Sequence, residues 1–307
     1  MKVVLTGASG FVGSFVLKLL LASGSHEVAI ILREPNAAWR IEDELARVKV
    51  IPGDISNVSS FEGEINKFKP DAFVHLAWGG VLGDNRNDIR QWNNITDTLQ
   101  LLEVASRVGA SHWIGLGSQA EYGQCQAKVD EYVITNPTTL YGISKLAACN
   151  VAKKMCDELG MRFAWLRLFS SYGPTDNPSW MIPYLINSLL LDERPRLTAA
   201  EQLWDYIYVE DAAAAVVSVL ENIDAEGIFN LGSGASTSLK VIIEKIRDYI
   251  NPNLPLGFGE VAYRPDQVMH LEADVSRLNQ LTNWSPCVDL DEGLDKTIRW
   301  RKARSSW

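Results

Sequence analysis

Basic residues are in deficit: 29 lysines and arginines face 38 aspartates and glutamates over 307 residues, a net charge of −9. That balance argues against a chain-wide nucleic-acid groove or a surface for anionic membranes. Small phosphorylated ligands, which need only a few local donors, remain open. Cysteine is equally sparse. Cys125, Cys149, Cys156 and Cys287 show no Cys-x-x-Cys spacing, so no metal site is expected and all four are read as reduced thiols in a cytoplasmic protein. Cys149 and Cys156 stand two turns apart on one expected helix, which suits packing. Long apolar runs are also missing. Val3-Val-Leu5 leads straight into a glycine turn, not a signal peptide, and charges break the later runs before membrane-spanning length. The sequence shows neither an internal repeat nor a low-complexity segment.

What is present is ordinary for a globular protein, with 47% hydrophobic and 22% charged residues and length for one large domain or two. Short apolar runs alternate with helical patterns. Strands are expected at Val3–Thr6, Glu27–Leu32, Val48–Pro52, Ala72–Ala77, His112–Gly117 and Arg162–Leu168. Helices are expected at Phe11–Ala22, Ser59–Phe68, Asn87–Val108 and Thr139–Leu159. This alternation implies βαβ units and an α/β fold, a doubly wound parallel sheet with helices on both faces. After about residue 170 the rhythm loosens. Helical pieces follow at Pro183–Leu191, Asp211–Asn222, Leu239–Ile250 and Leu290–Lys302.

The stretch Thr6-Gly-Ala-Ser-Gly-Phe-Val-Gly13 lies between the first strand and the first helix. Glycines at 7, 10 and 13 allow a tight turn, close backbone approach to a pyrophosphate and helix–strand packing, and the helix N-terminus offers amides to the phosphates. The sheet is therefore read as Rossmann-like. Residues 1–170 are assigned to an NAD(P)-binding domain and 171–307 to a smaller C-terminal substrate-binding lobe interleaved with the core. Arg33 follows the second strand, where a guanidinium pairs with the 2′-phosphate of NADP and an acid would instead hold the ribose of NAD. NADP is favoured on that residue, with NAD as the alternative. Asp54 after the third strand either accepts from an adenine amino group or caps the next turn.

Tyr141 precedes Lys145 by four residues, so both lie on one face of a helix. A lysine cation near a phenol is expected to lower the tyrosine pKa and make it a proton donor and acceptor near neutral pH. Ser118 follows the fifth strand and, taken alone, reads as a strand-end turn serine.

With the glycine trio, Asp54, His75-Leu-Ala77, Ser118 and the Tyr141/Lys145 pair in this order, the chain resembles an extended short-chain dehydrogenase/reductase of the nucleotide-sugar epimerase/dehydratase branch. The resemblance extends through Asn94, Tyr172-Gly-Pro174, Tyr206–Asp211, Asn230–Gly234 and Arg264-Pro-Asp266. It implies that Ser118 and Tyr141 share the reacting oxygen and that Lys145 holds the nicotinamide ribose. It implies cofactor contacts at Gly7, Ser9, Gly10, Phe11, Val12, Gly13, Arg33, Asp54, Ile55, Leu76, Ala77, Asn94, Tyr141 and Lys145. Substrate contacts are implied at Trp78, Ser118, Gln119 and Arg264, the last on a nucleotide-sugar diphosphate. A homodimer through the helices at 89–108 and 141–159 is a further implication.

Dehydratases of this branch carry an Asp-Glu pair just after the catalytic serine or threonine. Here Gln119 and Ala120 stand there, and neither performs acid–base work. Glu121 is shifted by one residue and is a candidate to orient a substrate hydroxyl. The favoured reading is an NADPH-dependent 4-ketoreductase acting on a nucleotide-linked 4-keto-6-deoxyhexose. An NAD-dependent 4-epimerase is the alternative, and a non-catalytic NADP-binding sensor or scaffold is the rival of another class. Ser170, Trp180 and Trp204 depart from the residues that relatives commonly carry and leave the nucleotide open.

Overall fold

In the computed structural model, residues 1–34, 38–263 and 267–304 are described. Seven strands form one parallel sheet: β1 (Lys2–Thr6), β2 (Glu27–Leu32), β3 (Lys49–Pro52), β4 (Ala72–His75), β5 (His112–Ser118), β6 (Arg162–Leu168) and β10 (Gly227–Leu231). Their order is 3-2-1-4-5-6-10, so the chain runs outward from β1 to one edge, returns, and winds toward the other. Strand β1 is buried along Val3–Thr6, as a central strand covered on both faces requires.

Helices cover both faces. On one side, Val16, Leu17 and Leu20 of α1 (Phe11–Ala22) pack with Val216 and Val219 of α6 (Val209–Glu221) against Val3, Leu5 and Ile30. On the other, α2 (Glu62–Phe68), α3 (Gln91–Arg107) and α4 (Leu140–Leu159) bury Ile65, Leu101 and Ala148 against Val4, Phe73 and Trp113. Thr139 caps α4 by accepting the Gly142 N–H at 3.1 Å, and Gly160 ends it in the left-handed conformation at φ 64°. Those caps fix where Tyr141 and Lys145 lie relative to the end of β5.

A third core joins α5 (Met181–Leu190), α7 (Leu239–Ile250) and α9 (Leu290–Lys302) around Leu185, Ile243, Ile246 and Leu294. Two small sheets accompany it. One pairs β7 (Ser170–Tyr172) with β9 (Tyr206–Tyr208), and the other orders β11 (Thr237–Ser238), β8 (Leu203–Trp204) and β12 (His270–Leu271). The last helix before α9 is α8 (Ser276–Thr282).

Several elements differ from the sequence expectations. Strand β4 stops at His75, because the Leu76 and Ala77 amides turn to the backbone oxygen and the hydroxyl of Thr6. The helix expected over Ser59–Phe68 is two pieces, a 3₁₀ turn at Ile55–Ser60 and then α2, with Phe61 non-helical at φ −129°, ψ 1° between them. Helix α3 starts at Gln91, not Asn87, since Gly83–Asn87 forms its own 3₁₀ turn. Strand β10 carries no alternation that marks it, and only its place beside β6 reveals it.

Candidate active site

The glycine turn is built by exclusion. Gly7 sits at φ +73°, and a Cβ there would meet the Ala77 nitrogen at 2.7 Å; a Cβ on Gly13 would stand 2.0 Å from the Gly7 carbonyl oxygen. Neither position accepts a side chain, so α1 is drawn tight against the end of β1. Its N-cap, Gly10, supplies no side-chain cap, and its first turn holds no acidic residue. An uncapped N-terminus without a competing carboxylate fits a bound pyrophosphate. Phe11 and Val12 open the helix, and the Ser9 carbonyl accepts from Arg40 at 3.3 Å.

At the far end of β2 and β3, Arg33 approaches Asp54 at 3.6 Å, with the arginine side chain 74% exposed. Asp54 is held below its usual range mainly by the Ser56 amide, with the Ser56 hydroxyl and Arg33 adding to it. Asp54 therefore caps the 3₁₀ turn that begins at Ile55 while also balancing Arg33. Asn94 is engaged as well: its amide oxygen accepts the Gly79 N–H at 2.7 Å and its NH2 donates to the Gly79 carbonyl at 3.2 Å.

Ser118, Tyr141 and Lys145 come together at the C-terminal end of β5, all three buried. The expected lowering of the tyrosine does not occur. Burial pushes the Tyr141 phenol up, and the groups that oppose this are the Ser118 hydroxyl and Arg86, not Lys145. Lys145 instead donates to the Leu116 carbonyl and lies 3.8 Å above the ring of Trp78. Loss of water lowers its ammonium to about 7 despite the opposing field of Glu121. Beside the pair, His75 bridges Thr6 and Thr98 and is driven down to about 3 by burial and then by Lys145, so it stays neutral.

Trp78 lines this cluster, edge-on to Tyr141 at 6.2 Å. Two residues that carry no local sequence signal, Gln91 and Arg86, shape the same wall, and a third, Arg167, stands behind it. Gln91 accepts from the Trp78 indole at 3.0 Å and donates to the Gly80 and Asn85 carbonyls, tying down the loop before α3. The Arg86 guanidinium lies 4.5 Å over the Tyr141 ring. Arg167, across from Gly117 on β6, holds Glu121. A glutamine at the first position of a helix, between Arg90 and Trp92, and arginines distant in sequence give no local pattern to find.

Glu121 does not face a substrate space. It is fully buried, pairs with Arg167 at 2.8 Å and accepts the Trp165 indole N–H at 3.0 Å. The proposed hydroxyl contact is thereby corrected: a glutamate with no exposed surface cannot reach a bound sugar. Gln119, by contrast, is only partly buried in the 3₁₀ turn Gln119–Glu121. Arg264 and Asp266 lie outside the described residues. Two departures noted in the sequence meet each other, the Trp204 indole donating to the Ser170 hydroxyl at 2.7 Å, while Trp204 packs beside Tyr122 and Phe169. Trp180 remains exposed before α5. The Asn230–Gly234 motif serves as scaffold: Asp205 accepts the Ser233 and Gly234 amides, and Asn230 accepts the Tyr122 hydroxyl at 2.6 Å.

Residues 3–232 match the profile of the NAD-dependent epimerase/dehydratase family. The chain belongs to that family. Among relatives, it is 26% identical to the UDP-glucuronate 4-epimerase of Thermodesulfobacterium geofontis, over 97% of this chain and 95% of the relative. It is 27% identical to the CDP-abequose synthase of Salmonella muenchen, over 98% of each chain. In structure it is similar to the UDP-glucuronic acid 4-epimerase of Bacillus cereus, solved with UDP-glucuronic acid and NAD, at TM-score 0.87 and 25% identity over 99% of this chain and all of the other. Membership makes this chain an enzyme family member built for a nicotinamide dinucleotide, on a Rossmann-like sheet. Among the described residues, no helix is long and apolar enough to cross a membrane, and no group of His, Cys, Asp or Glu could hold a metal ion.

Proposed function

We propose that the chain inverts C4 of a nucleotide-diphosphate hexose, as an NAD-dependent 4-epimerase. The observation that carries this reading is the composition of the turn beside Ser118. Gln119 and Ala120 provide no acid–base pair for removing water from the sugar, while Ser118 and Tyr141 still meet where one oxygen would react. The relatives with C4-epimerase names support it. A bound nicotinamide would supply reversible hydride transfer at C4, with return to the opposite face giving the inversion. The residues handle the rest. Tyr141 accepts the hydroxyl proton and gives it back, Ser118 donates to the same oxygen, and Lys145 holds the nicotinamide ribose. Gly7, Gly10 and Gly13 cradle the pyrophosphate, with Ile55, Leu76 and Ala77 along the dinucleotide. Trp78, Gln119 and Arg264 contact the substrate. Exposed Trp92 on α3 and Ile143 and Val151 on α4 support pairing of two copies through those helices.

NAD is preferred over NADP in this reading, a reversal of the sequence expectation. Asp54 already balances Arg33 at 3.6 Å, and a 2′-phosphate placed there would meet the carboxylate as well as the guanidinium. A second reading, reduction of a 4-keto-6-deoxyhexose by NADPH with a proton from Tyr141, keeps the exposed Arg33 as its supporting observation. Cofactor titration separates the two. Wild-type protein is expected to bind NAD at least about tenfold more tightly than NADP, and Arg33→Asp to weaken NADP further by about tenfold with little effect on NAD. Tighter NADP binding, with stoichiometric loss of absorbance at 340 nm on a 4-keto-6-deoxy sugar nucleotide, would replace the epimerase by the reductase.

A further inference from the structure

A carboxylate with no exposed surface lies behind the site. Its Oε1 accepts the Ser118 backbone N–H at 2.9 Å and the Trp165 indole N–H at 3.0 Å, and its Oε2 accepts the Arg167 Nε–H at 2.8 Å. A Cβ on Gly117 would stand 2.5 Å from Oε1 and 2.2 Å from the Trp165 Nε1, so the strand is stripped of a side chain where the two groups pass. The Ser118 hydroxyl in turn accepts the Ala120 N–H at 3.2 Å. With that lone pair engaged, the hydroxyl proton is free to point outward, toward Tyr141. Burying a charged pair of this kind is expensive, and breaking one side of it more so.

We propose that Glu121 is a positioning residue for the Ser118–Tyr141–Lys145 cluster, fixing the serine as a donor and supplying a buried negative charge that balances the Lys145 cation. The proposal rests on the reading of Tyr141 and Lys145 as the groups that serve the redox step. Lys145 is faced by Glu121 from the 3₁₀ turn, by Cys149 from its own helix and by His75 from β4. Arg86 faces Tyr141, and Arg167 is paired with Glu121. Among these neighbours, Glu121 is the main charge holding the ammonium up against desolvation, and it also raises the Tyr141 phenol. Removing its charge therefore moves both titrations the same way, toward acid.

The test follows the Lys145 ammonium directly in full-length protein, by NMR of ε-13C-lysine with and without NAD, the signal assigned through Lys145→Arg. Glu121→Gln alone leaves the buried Arg167 guanidinium without its counter-charge and is expected to fold poorly. The double change Glu121→Gln with Arg167→Gln keeps a donor–acceptor pair and removes both charges. In it the Lys145 midpoint is expected to fall by about a few tenths of a pH unit, less than loss of the carboxylate alone would give, because the opposing Arg167 charge goes with it. A folded double variant that titrates at the wild-type midpoint overturns the proposal. Because this readout needs no sugar, a shifted midpoint in a protein that epimerises nothing would sink the 4-epimerase reading and leave the role of Glu121 standing.

Discussion

Tyr141→Phe is expected to lower turnover by about a thousandfold and to leave cofactor affinity within about twofold of wild type. The ring keeps its edge contact with Trp78 and its place under the Arg86 guanidinium, so only the hydroxyl is lost. That hydroxyl is the group beside Ser118 at the mouth of β5. Without it the substrate oxygen has no partner that both takes and returns a proton, because Ser118 already accepts from Ala120. Steady-state rates and equilibrium binding of NAD on the same preparation check the two halves separately. Turnover within about tenfold of wild type would remove Tyr141 from proton transfer.

Gly13→Ala has the second large effect, on binding. Its methyl would stand 2.0 Å from the Gly7 carbonyl oxygen, backbone that cannot rotate away. Helix α1 must then shift off β1, opening the turn meant for the pyrophosphate. Dinucleotide affinity is expected to fall at least about a hundredfold, and stability by about 1–3 kcal/mol as the overpacked turn displaces its neighbours. Gly63→Ala is the control. Its Cβ would meet nothing within 4 Å, and it lies inside α2, where alanine is favoured over glycine by about 0.5–1 kcal/mol. Thermal melts and NAD titrations of both variants are expected to move in opposite directions for stability and to differ sharply for binding. Equal affinities would detach the turn from the cofactor.

The six strands named from apolar runs, the glycine turn and the shared helix face of Tyr141 and Lys145 are legible because each is written locally, whereas Ser118, on a different element, joins them only through the resemblance. Period, spacing and turn chemistry all act within a few residues. What escaped the sequence depends on distance. Glu121 and Arg167 stand 46 residues apart and meet only because β5 and β6 are neighbours. The seat of Lys145 over Trp78 depends on how the loop before α3 is tied by Gln91. The raised Tyr141 phenol escapes the sequence for the same reason: spacing on a helix shows a shared face but not the desolvation that outweighs a neighbouring charge. Strands as short as β8, β11 and β12 carry too few residues for any periodicity. The sequence around Arg33 does not show its partner Asp54, which arrives from the turn after β3.

The most direct measurement uses a UDP-hexose deuterated at C4, incubated with the protein and unlabelled NAD and followed by proton and deuterium NMR. The account predicts appearance of the C4 epimer with deuterium kept at C4 and no net change in NAD. A product in which the label is lost, or a nucleotide sugar that changes only while NADPH is consumed in equal amount, would contradict it.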